Sequence, residues 1–156
     1  MENEKLLQEL NVNFQKMKSD LGFKSSFEEI DKVFFIRDHI LGEKFVSGTL
    51  SRQICSRIAA LYSNWNGYLH SLLMPNPQNI LNFNESKHFN HEERKEISNL
   101  ISVGMELMSR NSLIGLTKNK REEGKFIDDA VKIWNKKFEK ELAKIMQKVN
   151  SAWRGE

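Results

Sequence analysis

The chain has 156 residues, 39% apolar and 29% charged, with a net charge of +3 and one cysteine. That length suits a single domain, 1–156, with a core that needs neither metal nor disulfide to hold it. The small basic excess does not mark a dedicated nucleic-acid binder, and the lone Cys55 excludes an intrachain disulfide and points to a reducing, cytoplasmic setting. The charged Met1–Lys5 start lacks the apolar stretch of a secretory signal.

Two prolines and eight glycines among abundant Leu, Ile, Lys and Glu favour helices, and no stretch alternates with the period of a strand. The pattern predicts an all-α fold, an antiparallel bundle of about five helices. The first runs from about Glu4 to Leu21, with Leu7, Leu10, Phe14, Met17 and Leu21 on a narrow seam, and Gly22 stops it. Ser26-Phe27-Glu28-Glu29 is a capping-box pattern that opens the second, whose Phe27, Ile30, Val33, Phe34, Ile40 and Leu41 face inward up to Gly42 as C-cap. The third starts near Thr49 and ends before Pro75.

Pro75 to Phe89 is long for a bundle connection, and Ile80, Leu81 and Phe83 are expected to pin it against the helices as a packed crossover, a functional lid being the alternative. Asn90 caps a fourth helix bearing Ile97, Leu100, Ile101, Val103, Leu107 and Met108, which fades near Gly115. A charged linker, Lys118 to Gly124, leads to the last helix with Ile127, Val131, Trp134, Phe138, Leu142, Ile145 and Val149.

From Ile58 to Asn84 there are 27 residues without a Lys, Arg, Asp or Glu. Six asparagines and the Pro75-Asn76-Pro77 break argue against a membrane span there, so the stretch is expected to lie within the fold or under a partner. On the third helix, Ile54, Ile58, Leu61, Trp65, Leu69 and Leu72 make one face. Ser56, Ala60, Ser63, Gly67 and Ser71 lie opposite, where small side chains let a neighbour approach. Both faces are therefore expected to be covered, which makes this uncharged helix central. On its flanks Tyr62, Asn66 and His70 form one file and Arg57, Asn64 and Tyr68 the other. With Trp65 they are the candidate surface for a ligand or partner, the structural alternative being that they satisfy loop backbone.

The remaining constellations are weaker. His88 and His91 with Glu92 have a metal-ligand spacing, but a structural zinc site wants four ligands and a catalytic one three. Arg37-Asp38-His39 gathers acid, base and cation on residues pointing about 100° apart, which suits a salt-bridged surface better than a catalytic pair. Cys55 reads as a small buried residue. Phosphate-loop, nucleophile-elbow, zincin and diiron motifs are absent, so an enzyme is the minority reading and no cofactor is implied. Lys132, Lys136, Lys140, Lys144 and Lys148 recur every four residues on the last helix, the track a nucleic acid would use. Trp153 serves either as the last core residue or as an exposed anchor beside Arg154.

The leading expectation is a non-catalytic, cytoplasmic bundle that works by binding another protein, a copy of itself or a small ligand. Nucleic-acid binding through the lysine row is the alternative, and metal-assisted hydrolysis at His88 and His91 a third.

Overall fold

The computed structural model describes residues 1–156 and is all-helical, 82% helix with no strand. Seven helices form where five were expected. They are α1 (Glu2–Leu21), α2 (Phe27–Phe34), α3 (Ile36–Glu43), α4 (Leu50–Leu73), α5 (Ile80–Ser86), α6 (His91–Thr117) and a final rod. The rod is continuous: α7 (Lys120–Ile133), a π-helical turn (Trp134–Phe138) and α8 (Glu139–Trp153).

Several boundaries arise directly from local chemistry. Gly22 takes φ 70° and its N–H closes α1 onto the Lys18 carbonyl at 2.8 Å, the left-handed conformation glycine adopts without strain. The capping box forms at Ser26 and Glu29, and a second joins Asn90 to Glu93 at the start of α6. The expected second helix is broken, however. Phe35 enters the left-handed region at φ 55°, which costs a non-glycine residue about 1–2 kcal/mol. Asp31 offsets this cost, its carboxylate accepting the Arg37 backbone N–H at 2.7 Å and the Arg37 side chain at 3.3 Å. The C-cap is Lys44, not Gly42, which stays helical.

Two further corrections concern the connections. Pro75 to Phe89 contains α5, capped by the Asn79 side chain on the Asn82 N–H. Lys118 to Gly124 is mostly helix, because Lys118 alone makes the left-handed break and Asn119 caps the new first turn by accepting the Glu122 N–H at 3.3 Å.

The chain divides into two compact units. Unit 1 (1–61 and 107–132) buries Phe14, Phe34, Ile40, Ile54, Ile58 and Phe126. The Asp128 carboxylate receives the Lys24 and Ser25 amides at 2.8 Å and the Ser25 hydroxyl at 2.6 Å, fixing the turn after α1. Gly124 permits that turn to pass close, since a Cβ there would lie 3.2 Å from the Leu21 carbonyl oxygen. Unit 2 (62–106 and 133–156) buries Tyr62, Leu69, Leu72, Ile97, Leu100 and Phe138. Its π turn sets Trp134 and Phe138 side by side, centroids 5.5 Å apart, and both meet the Tyr62 ring edge-on.

The expectation that both faces of α4 are covered fails. Ile54, Ile58, Leu69 and Leu72 are buried, but Ser56, Ala60 and Gly67 on the opposite face are exposed. A Cβ built on Gly67 would meet nothing within 4 Å. Small side chains permit close approach without driving it, because they remove little apolar area from water.

Candidate functional site

An asparagine- and aromatic-rich surface at the end of α4 and along α5 is the place where the uncharged stretch meets solvent. Its foundation is polar. Arg94, on α6, sends Nη1 to the Leu72 and Leu73 carbonyls at 3.3 Å, Nη2 to the Ser86 carbonyl at 2.8 Å and hydroxyl at 3.1 Å, and Nε to the Phe89 carbonyl at 3.3 Å. One guanidinium thereby caps the last carbonyls of α4 and ties down both ends of the α5 segment. The buried Ser86 hydroxyl donates to the Leu72 carbonyl as well.

Between these ties the loop closes on itself through asparagine side chains. Asn76 accepts the Gln78 amide at 3.0 Å, and Asn82 accepts the Asn76 amide at 3.2 Å. With the backbone held this way, the apolar side chains are not needed as pins. Ile80 is 71% exposed, Leu81 65% and Phe83 50%, and Met74 beside them is 71% exposed. The expected anchoring by Ile80, Leu81 and Phe83 is thus replaced by the Arg94 clasp.

A groove of about 420 Å³ lies on this surface, lined by Tyr68, His70, Ser71 and Met74 of the α4 end and by Asn79, Leu81 and Glu85 of the α5 segment. Glu85 organises one rim, accepting the Tyr68 hydroxyl at 3.1 Å on one oxygen and the Trp153 indole N–H at 2.8 Å on the other. Burial, then the Glu85 charge and hydrogen bond, hold the Tyr68 hydroxyl well above its ordinary pKa, so it stays a neutral donor. Trp153, 52% exposed, is therefore tethered at the surface and does not extend the core.

The predicted site residues separate into two groups. Asn64 and His70 are exposed and Tyr68 half-buried, on the outward side of α4. Trp65 is half-buried, edge-on to Tyr68 at 6.4 Å. The other three are structural. Tyr62 is core, Arg57 donates from Nε to the Phe34 carbonyl at 2.8 Å, and buried Asn66 donates to the Ile101 carbonyl at 3.1 Å. Gly104 makes room for that amide, since a Cβ there would lie 2.5 Å from it. The i, i+4 file was visible in sequence, but a helical file at the margin of a buried face turns inward at one residue and outward at the next.

The lysine row is only partly free. Lys132, Lys136, Lys140 and Lys144 are exposed, but Lys148 pairs with Glu93 and lies 5.4 Å above the Phe89 ring. The π turn also falls within the row, and its extra residue rotates the rest of the helix by about 100°, so the five do not form one straight track. Lys144 approaches Glu141 at 3.9 Å, whereas Asp128 serves the turn after α1. His88, His91 and Glu92 are exposed, and no three His, Cys, Asp or Glu side chains are grouped to hold a metal ion. Arg37 bridges Glu28 and Asp31, the salt-bridged surface expected of that segment. Cys55 is buried, its thiol donating weakly to the Glu123 carbonyl at 3.9 Å, and burial pushes its pKa up to about 12. No helix is long and apolar enough to cross a membrane.

Comparison of the chain with protein-family models, with curated proteins and with solved structures found no match.

Proposed function

We propose that this protein acts by binding rather than by catalysis, and that the α4–α5 surface of unit 2 pairs with the same surface of a second copy. The observation that carries the reading is the exposure of four apolar side chains close in sequence, Met74, Ile80, Leu81 and Phe83, in a segment without a single charge. A contiguous apolar patch left open to water marks a contact surface. A second copy suits it because a twofold axis sets each surface against itself, and a surface whose exposed apolar segment carries no charge meets its duplicate there without like-charge repulsion. A stable homodimer needs roughly 800 Å² per subunit, so the groove beside Tyr68 and the exposed turns of α4 at Asn64 and Gly67 belong to the same contact.

Native mass spectrometry and light scattering over a range of protein concentration test the proposal. The expected result is a dimer that Ile80→Asp or Phe83→Asp converts to monomer while the far-ultraviolet circular dichroism stays unchanged. A wild-type chain that remains monomeric at the highest concentrations, or a dimer indifferent to both substitutions, overturns it.

A further inference from the structure

One group on the α4–α5 surface changes its charge near neutrality. His70 is the only imidazole in the stretch from Ile58 to Asn84, and it is exposed on α4. On the reading that two copies pair through this surface, we propose that His70 makes the contact a pH-sensitive switch, which holds while the imidazole is neutral and opens when it is protonated.

His70 stands inside the contact and not at its margin. Gly67, His70 and Met74 follow one another at i, i+3 and i+7 on the outward side of α4, and all three are exposed. His70 also lines the groove of about 420 Å³ beside Tyr68. Closing this face against its duplicate takes the imidazole out of water, and loss of water disfavours the charged form. A twofold axis doubles the effect, because each copy brings its own His70 into the contact.

The groups that surround the groove set no carboxylate aside for a charged imidazole. From α4 comes the Tyr68 hydroxyl, and the connection before α5 adds the side-chain amides of Asn76 and Asn79. From α5 comes Glu85, the one carboxylate of the groove. Both its oxygens already accept, one from the Tyr68 hydroxyl at 3.1 Å and the other from the Trp153 indole N–H of α8 at 2.8 Å. On α6, the Arg94 guanidinium is spent on the Leu72 and Ser86 carbonyls and brings charge of the same sign as a protonated imidazole. No Lys, Arg or Asp lines the groove. Protonated His70 would therefore enter the contact as an ion without a partner, which is costly to bury.

The direction of the pH dependence follows. A separated chain binds more protons than a paired one, so falling pH moves the equilibrium toward single chains. An imidazole ordinarily changes charge between about pH 5 and 8, which places the transition there.

Light scattering and analytical sedimentation of the full chain, at about pH 8 and about pH 5.5, test the switch. The wild-type chain is expected to form a dimer at the higher pH whose Kd rises about tenfold or more at the lower one, with the far-ultraviolet circular dichroism unchanged. His70→Gln, at an exposed position, is expected to keep one Kd across the range. A wild-type chain that stays monomeric at both pH values overturns the pairing itself, and the switch with it. A wild-type dimer whose Kd is constant, or falls as pH is lowered, leaves the pairing standing and overturns the switch. So does a rise in Kd of the same size in His70→Gln, which would assign the proton to another group.

Discussion

The α4–α5 surface of unit 2 exposes Met74, Ile80, Leu81 and Phe83 to water, whereas unit 1 buries Arg52 Nη1 and Glu123 Oε2 without a hydrogen-bond partner. The first region places apolar groups where charge is the rule, and the second places charge where apolar groups are the rule. Each inversion is held in place by ordinary packing and hydrogen bonding close by. In unit 2 the Arg94 guanidinium satisfies the backbone of the crossover, so its apolar side chains are free to point outward. In unit 1 the Asp128 carboxylate and the close approach at Gly124 fix the turn after α1 beside the start of α7, where Glu123 is enclosed. A residue's neighbours in the fold, more than its own polarity, thus decide whether it is satisfied within the chain or left unsatisfied.

The most damaging way to break this contrast is at Arg94. Arg94→Ala removes the guanidinium ties between α6 and the two ends of the α5 segment, with an expected loss of about 3 kcal/mol in urea unfolding and loss of the proposed dimer as well. Arg94→Lys should recover less than half of that stability, because an ammonium cannot reach carbonyls on both sides of the fork.

A smaller effect sharpens the division between inward and outward residues of α4. Gly104→Ala places a methyl group 2.5 Å from the Asn66 amide and is expected to cost about 2 kcal/mol. In the Asn66→Ala background the same substitution has room, so the double variant should fall short of the summed losses by about 1 kcal/mol in a double-mutant cycle. Strict additivity would mean that Asn66 does not occupy the position beside Gly104.

The smallest expected effect is a pH dependence in the brace between α6 and α8. The Asn90 backbone hydrogen bond, then the bond from Lys148, hold the Glu93 carboxyl below its ordinary pKa. A lowered folded-state pKa contributes stability that is complete above the ordinary glutamate value and is lost as pH falls through the depressed one. Unfolding followed from neutral to acidic pH should therefore show a slope in that window which Glu93→Gln flattens, leaving the proposed dimer unaffected at neutral pH.

Much of the helical framework was legible in the residues alone. The seam from Leu10 to Met17, the caps at Gly22, Ser26 and Asn90, and the stripe from Ile127 to Val149 are local patterns that depend on spacing and on the nearest backbone groups. The breaks at Phe35 and Lys118 were not, since a phenylalanine and a lysine carry no intrinsic preference for the left-handed region. Within the site, the uncharged stretch drew attention to Tyr68 and His70, which line the groove, but its order along the chain could not show that Tyr62 and Asn66 turn inward. Glu123 fell inside what looked like a charged linker, although it lies four residues before Ile127 on the same stripe. A carboxylate on a core-facing register was the signal available.

By itself, then, the sequence determined that this chain is helical, where most of its helices begin and end, and which segment lacks charge. Those properties arise from periodicity and short-range hydrogen bonding. Only the tertiary structure decided which side of α4 meets water, that a guanidinium and not three apolar side chains would hold the crossover, and that Arg52 and Glu123 would each bury a polar atom without a hydrogen-bond partner. These depend on contacts between residues tens of positions apart, which local spacing does not encode.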